Sequence, residues 1–533
     1  MFDISKRVRT RKSHLDRYRK IAIVLAKYRL EEVLRYIGMG KFIPFFWIIR
    51  GKPWRKMVYT KPERIRMALE ELGTTFVKVG QILSTRTDLL PPSYTQELSK
   101  LQSGLQPLTF EVMKNAIGDD LGVPTDKVFC SFDSEPIGVA SIGQVYSCSL
   151  KDGIPTVVKV RKPGVPDLVE EDMHILRAAA ISATKHWEGA KQYDLIGIVQ
   201  EFSDTIKAEM DYIQEGKNAE YFAWFFRDDR SVHIPKIFWE STNEGVITME
   251  RIDGIGIRNV EALDKAGFNR KELAKRSVDL WLKMVFEGEA FHADPHPGNL
   301  FVESDGRLGL VDFGMISIVD DEVRWQLVNV IKAILDRNID LLIDALIELG
   351  AVNMSQKDAR TRLRKDIKYI MRQLMSTHLE KHSESIIYNL SLLFSVLRQN
   401  QIQLPSNTFL LLKTIIMAQS LGRRLDPEFD ILPMLENNVK QMYKKRYSVF
   451  SALRRLPSAV TELTSLAGSL PQRLDRIMKT LERGEIQINA DVSGVERHIH
   501  HLEQILSRTV IGILVAVIIL GLALFFVGIQ LTK

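Results

Sequence analysis

Residues His292–Gly314 read HADPHPGNLFVESDGRLGLVDFG, and the spacing of three polar residues in this stretch decides the reading of the whole chain. Asp294 is followed five residues later by Asn299, and eighteen residues after Asp294 comes Asp312. They sit on alternating apolar and polar segments, which is how short strands and tight loops present side chains to one place. Two carboxylates and an amide oxygen are hard donors of the kind that hold magnesium on a triphosphate. One carboxylate beside an accepting hydroxyl also suits phosphoryl transfer.

Working outward, the spacing matches the H-x-D-x-x-x-x-N and D-F-G pattern of protein-kinase active sites. Asp294 is the expected base, and Asn299 and Asp312 the expected magnesium ligands. Upstream, residues 138–145 read GVASIGQV and residues 157–160 read VVKV. Gly138 and Gly143 fall where a kinase phosphate loop has its first and third glycines, and Ala140 replaces the second. Lys159 lies 21 residues after Gly138, the place of the phosphate-pairing lysine. The loop residues Gly138, Val139, Ala140, Ser141, Ile142, Gly143 and Gln144 are therefore expected, with Lys159, to hold ATP.

A kinase site also needs a helix carboxylate to hold that lysine. Residues 193–226 read as helix and carry Glu209, Asp211 and Glu215. Glu209 and Glu215 are six positions apart, about 600° of helical rotation, so one can meet Lys159 while the other faces elsewhere. VITMERIDG (246–254) reads as a strand and inter-lobe connector, where Met249, Glu250 and Ile252 would meet adenine. A helix from Lys271 to Phe286 leads into the opening stretch, and after Gly314 the pattern is helical from Asp320 or Asp321 to about residue 447. No A-P-E closes an activation segment, the surface on which peptide substrates dock, and this weighs against a conventional protein kinase.

A chain of 533 residues calls for more than one folding unit, and 26% charged with 45% hydrophobic residues is a globular composition. The net charge of +7 gathers near the N-terminus, in Lys6, Arg7, Arg9, Arg11, Lys12, Arg17, Arg19 and Lys20. Such a cluster suits an anionic membrane surface, nucleic acid or a solvated helix face. The aromatic run Phe42–Arg50 suits an interfacial contact or packing against the rest of the chain. Two cysteines, Cys130 and Cys148, build no disulfide framework or zinc site and read as small core residues in a reducing compartment. His498, His500 and His501 read as a solvated helix face. From Val510 to Leu531 no residue is charged, and a helix of about 30 Å would cross a hydrocarbon core. Gly512 and Gly521 make no GxxxG within it.

Between residues 61 and 103 a helical pattern runs into KVGQILSTRTDLLPP, with K-x-G-Q at Lys78, Gly80 and Gln81. K-x-G-Q, the alanine-containing loop, Lys159, E-x-D at Glu209 and Asp211, HADPHPGN and DFG occur in this order. Together they resemble the UbiB family of atypical kinase-like proteins, also called the AarF or ADCK family, over roughly residues 60–430. The resemblance implies a kinase-like fold with an N-terminal extension over the active site, where K-x-G-Q occupies the protein-substrate place. It also implies that Lys78, Gly80 and Gln81 are regulatory, that Glu209 and Asp211 face them, and that Glu215 is the partner of Lys159. The family's loop is usually Ala-Ala-Ala-Ser; here Gly138, Val139, Ala140 and Ser141 stand there, so nucleotide selectivity is expected to differ.

The expected architecture is α+β. Residues 1–60 form a basic amphipathic segment, 61–130 the K-x-G-Q extension and 131–256 a small β-rich N-lobe with inserted helices. Residues 257–447 form a helical C-lobe, 448–508 an amphipathic linker and 509–531 a transmembrane anchor. The expected function is a membrane-anchored, ATP- and magnesium-dependent ATPase or small-molecule or lipid kinase in isoprenoid-quinone or lipid metabolism. Its kinase-like region would lie on the cytoplasmic side. Membrane lipid, quinone-precursor lipids and quinone-biosynthesis proteins are the expected partners, and nucleic acid is not. A protein kinase and a nucleotide-gated lipid-binding scaffold with negligible turnover are the alternatives.

Overall fold

The computed structural model describes residues 4–36, 59–86, 89–101, 107–186, 194–348, 361–369, 396 and 406–446. All of these except Lys445 and Arg446 fall in the first of two units, Met1–Lys444; the second is Lys445–Lys533. The expected anchor at 509–531, the linker with its histidines and the aromatic run Phe42–Arg50 lie outside the described residues. Among the described residues, no helix is long and apolar enough to cross a membrane.

The N-terminal extension comprises α1 (Ile4–Lys27), α2 (Glu31–Tyr36), α3 (Lys61–Leu72), α4 (Thr74–Thr85) and α5 (Pro92–Leu98). Helix α3 starts at Thr60, whose amide donates to Glu63 Oε2 at 2.6 Å, and it ends at Gly73. Gly73 has φ of 99°, a left-handed backbone that glycine adopts without strain, so α4 can leave in a new direction. Ile21, Ala22, Leu34, Ala68, Leu72 and Phe76 make the core of this layer, joined by Ile175 from a later helix.

After α6 (Phe110–Leu121) and α7 (Thr125–Val128) come β1 (Phe129–Phe132), β2 (Gly138–Val139), β3 (Gly143–Leu150) and β4 (Pro155–Arg161). Three helices follow: α8 (Val165–His186), α9 (Leu195–Met210) and α10 (Tyr212–Phe225). Two strands come next, β5 (Val232–His233) and β6 (Val246–Glu250). The N-lobe sheet runs β1-β3-β4-β6, antiparallel throughout, with β2 added to β3. Alternation along β4 decides its two faces. Val158 and Val160 are fully buried against Met113 and Ile117 of α6, while Lys159 between them faces the other side, toward α10. Cys148 joins the buried face; Cys130 does not. Cys130 is exposed on β1, whose register against β3 shifts between Phe129 and Ser131, and this corrects its reading as a core residue.

Residues 193–226 are also not one helix. Asp211, at φ −97° and ψ 95°, breaks the run into α9 and α10. Glu209 and Glu215 therefore sit on separate helices, and rotation along a single helix does not relate them.

The C-lobe contains β7 (Gly254–Gly256), α11 (Val260–Lys265), α12 (Arg270–Glu287), β8 (Ala290–His292), β9 (Leu300–Glu303), β10 (Leu308–Leu310) and β11 (Ile316–Ile318). Helices α13 (Asp321–Leu335), α14 (Ile339–Leu346), α15 (Ser406–Leu425) and α16 (Leu432–Arg446) follow. The helix expected from Asp320 or Asp321 starts at Asp321, and the stretch before it holds strand β11, which pairs antiparallel with β8, Ile316 opposite His292. Three residues are too few for a period-two pattern to register in the sequence. The core of this lobe holds Trp281, Phe291 and Phe313, each nearly solvent-free.

Candidate active site

Two short ladders hold the opening stretch. Strands β9 and β10 pair as a hairpin with Leu310 opposite Leu300, and just beyond them the Val311 amide donates to the Asn299 carbonyl at 2.9 Å. Strands β8 and β11 pair next to it, and there the Ala293 amide donates to Met315 O at 3.0 Å. Asp294 follows β8 and Asp312 precedes β11, so the two ladders bring the acids together across eighteen residues of chain.

His292 links them. It is almost fully buried; its Nε2 lies 2.6 Å from the Asp312 carbonyl, and Nδ1 is 3.1 Å from the Asp294 amide nitrogen. An amide can only donate, so Nδ1 accepts and Nε2–H donates, which is the neutral tautomer. Burial pushes the His292 pKa below its usual value, in agreement with that state. The ring stands edge-on to Trp281 at 5.6 Å. His292 opened the motif in the sequence without a role of its own; the fold makes it the strut between the aspartates.

Asp312 has φ of 67°, a left-handed conformation that costs a non-glycine residue of order 1 kcal/mol or more and clusters at functional sites. Its neighbours hold it there. Phe313 packs on Phe222 of α10, its carbonyl accepts from Asn218 Nδ2 at 2.8 Å, and the Gly314 amide donates to Asp312 Oδ1 at 3.2 Å.

Lys159 reaches the same place from β4. Its Nζ lies 2.8 Å from both carboxylate oxygens of Glu215 and 3.6 Å from Asp312 Oδ1. Burial disfavours the ammonium, but Asp312 and Glu215 outweigh it, and the Lys159 pKa stands well above the ordinary lysine value. In return the Lys159 charge holds Asp312 at about 2. Tyr212 lies beneath the ammonium, 5.1 Å from ring centre to Nζ, and burial pushes its hydroxyl up. Gly143 is needed for packing: a Cβ there would meet the Tyr212 hydroxyl at 2.5 Å and Val160 O at 2.7 Å.

The phosphate loop is only partly what its residues promise. Ala140 and Ser141 line a cavity of about 1040 Å³ that also contains Asp294 and Asp312. The Ala140 amide donates to Gly143 O at 2.9 Å, and Lys162 Nζ donates to Ala140 O at 2.8 Å, so the turn is clipped from both sides. Gly138 and Val139 pair with Val145 and Gln144 in the sheet. Ile142 is buried among Val79, Phe202 and Ile206, and Gln144 is fully buried, bonded to the Leu108 backbone and the Tyr146 hydroxyl. Their side chains are structural ties to Val79, to α9, to the Leu108 backbone and to Tyr146, and the phosphate contacts expected of this loop are those of its backbone N–H groups. In the connector, Met249 is buried opposite Val157, and the Glu250 amide is already given to Lys236 O at 2.8 Å. Ile252 packs its methyls against Gly309.

Helix α4 brings K-x-G-Q to the cavity. Lys78 Nζ is 2.5 Å from Glu209 Oε1, both side chains largely covered. Burial lowers the Lys78 pKa, yet Glu209, Asp294 and Asp312 together raise it above the usual value. Gly80 serves packing instead, since a Cβ there would collide with the Leu101 side chain. Gln81 lines the cavity and donates to Leu101 O at 2.9 Å. Asp211 is exposed and caps α10 by accepting from the Gln214 amide at 3.1 Å, which corrects the expectation that it faces K-x-G-Q.

Two further residues of the site had no role assigned from the sequence. Arg86 pairs with Glu201 at 2.8 Å and stacks over Phe409 at 5.0 Å, and Lys413 of α15 lies 3.5 Å from Asp294 Oδ1. Burial raises the Asp294 pKa, but Lys413 foremost outweighs it and the acid sits below its usual value. Lys413 follows Asp294 by more than a hundred residues, within an ordinary apolar helix.

Magnesium fits what is present. Asn299 and Asp312 are hard oxygen donors on adjacent ends of one hairpin, and magnesium takes few protein ligands, completing its shell with water and phosphate. Among the described residues no group of three or more His, Cys, Asp or Glu forms an all-protein metal cage.

Comparison with known proteins agrees with this geometry. Residues 100–346 match the ABC1 atypical kinase-like domain, and residues 371–430 match the UbiB helical domain. Two proteins named probable protein kinase UbiB are each 30% identical to this chain. The one from Azotobacter vinelandii aligns over 93% of this chain and 92% of its own length. The one from Marinobacter nauticus aligns over 86% and 84%. Activity of bc1 complex kinase 7, a chloroplastic protein of Arabidopsis thaliana, is 29% identical over 81% of this chain and 63% of its own length. The chain belongs to the UbiB family of ABC1 atypical kinase-like proteins.

Proposed function

We propose that this protein is a membrane-anchored, magnesium-dependent ATPase or small-molecule or lipid kinase that supports isoprenoid-quinone (ubiquinone-type) or lipid metabolism. One observation carries the reading: the K-x-G-Q helix shares a cavity with both catalytic aspartates, through Lys78 and Gln81. The space left, about 1040 Å³, is of the size that holds small ligands. Relatives named as probable protein kinases support phosphotransfer, and the family resemblance supports the quinone link. The uncharged run Val510–Leu531 supports an anchor, with the kinase-like region on the cytoplasmic side.

In this reading Lys159, held by Glu215, pairs with the nucleotide phosphates, and Asn299 and Asp312 hold magnesium. Bound magnesium neutralises charge on the phosphate oxygens. Asp294, kept ionised, takes the proton of the accepting hydroxyl or positions a water. Neutral His292 fixes the distance between the two acids.

The test is ATP hydrolysis by the purified full chain, with and without anionic liposomes and a quinone-precursor mimic. Asp312→Asn and Lys159→Ala should each lower turnover by about 100-fold or more. Turnover unaltered in both variants would sink the proposal.

A further inference from the structure

Phosphoryl transfer spreads negative charge over the transferred group, and positive charge aimed at it lowers the barrier. The strip Asp294–Asn299 reads D-P-H-P-G-N and supplies no lysine or arginine of its own. Lys159, held by Glu215 and near Asp312, already serves the nucleotide phosphates in this reading, and Lys78 pairs with Glu209.

A further ammonium faces the catalytic aspartate from another part of the chain. Lys413 Nζ lies 3.5 Å from Asp294 Oδ1 and donates to Ala293 O at 3.4 Å. Its side chain is 11% exposed, and it lines the same cavity as Asp294 and Asp312. Helix α15 puts it there by periodicity. Asn407, Leu410 and Lys413 recur every three residues and all line the cavity, while Leu411, Leu412 and Ile415 are buried in the C-lobe core. The partner Asp294 is the residue that must lie next to the accepting oxygen, so a cation beside it stands next to the reacting phosphoryl group.

We propose that Lys413 is a catalytic residue that binds the transferred phosphoryl group of ATP, a cation delivered by helix α15 instead of by the catalytic loop. The site then includes the region matched as the UbiB helical domain, and the ABC1 domain by itself lacks one of its cations. In the step served, a bond forms between the acceptor oxygen and the γ-phosphorus as the bond from that phosphorus to the bridging oxygen breaks. The electron pair leaves with ADP, the acceptor proton goes to Asp294, and Lys413 exchanges no proton in the step.

The inference rests on the Mg–ATP reading above, and its test works without turnover. Affinities of the full-length chain for Mg–ATP and Mg–ADP are measured for wild type, Lys413→Met, Lys413→Gln and Lys413→Arg. A charge-assisted contact to the terminal phosphate predicts that Met and Gln weaken ATP by about tenfold or more, with Arg recovering most of it. ADP, which lacks that phosphate, should bind all four proteins alike, and its unchanged affinity shows that the variants are folded. Equal losses for ATP and ADP, or no loss for either, overturn the role of Lys413. Wild-type protein that binds ATP but turns none over under any lipid condition defeats the enzymatic reading while leaving the affinity ratio to decide Lys413.

Discussion

Arg17–Asp172, Lys78–Glu209 and Arg86–Glu201 all join the N-terminal extension to the kinase-like region, and the first two differ in kind. Arg17 of α1 meets Asp172 of α8 through two 2.7 Å bonds, with the carboxylate wholly buried, a third bond to Leu72 O and Phe76 beneath the guanidinium at 5.7 Å. Lys78 of α4 meets Glu209 of α9 by one contact at the cavity wall, with the side chains 20% and 17% exposed. The first is a joint, since a planar fork sealed from water has no alternative partner. The second is a contact that other charges can replace, because Lys78 also feels Asp294 and Asp312. The extension is thus fixed at its far end, and its Lys78 contact with the site is adjustable.

Breaking the joint should have the larger effect. Asp172→Asn leaves the Arg17 charge buried without its counterion and is expected to cost about 3–5 kcal/mol, read from denaturant midpoints of the full chain. A loss under 1 kcal/mol would make the two pairs alike and end the comparison.

Acid tests the site side. The Asp312 pKa falls from 3.8 to about 2 on folding, so its contribution is fully present above pH 3.8 and is lost as pH drops through 2. The side chain is half exposed, and screening reduces this contribution to about 1 kcal/mol. Urea midpoints compared between pH 5 and pH 2 should therefore fall more steeply in wild type than in Asp312→Asn; parallel slopes would refute the coupling to Lys159.

The smallest effect belongs to the adjustable contact. Glu209→Gln should cost about 1 kcal/mol or less, because Lys78 keeps the two aspartates as company. Hydrogen exchange should speed up in α4 and not in α1. Faster exchange in both helices would show that the extension moves as one rigid piece.

The same division separates what is legible in the chain. Asp294, Asn299 and Asp312 can be read because strands three or four residues long present neighbouring side chains at fixed intervals, and those intervals survive in the sequence. Lys159 is legible for a related reason: apolar residues flank it with period two. Glu215 can be placed only through the family resemblance, since local pattern leaves it equal to Glu209. The break at Asp211 escapes a sequence reading because an aspartate that caps a helix looks like one that decorates a longer helix. Gln144 reads as a loop ligand in sequence, whereas the backbone of Leu108, outside the loop, claims its amide.

By itself the sequence determined the kinase-type spacing, the α+β character and the order of the motifs, all of which depend on contacts within one element or one hairpin. Only the tertiary structure decided which charges meet: Lys159 with Glu215, Lys78 with Glu209, Arg17 with Asp172, and Lys413 with Asp294. Such pairs join helices and strands far apart in the chain. Their energy comes from burial and geometry that exist only once the core has closed, so they leave no periodic trace in the residues between them.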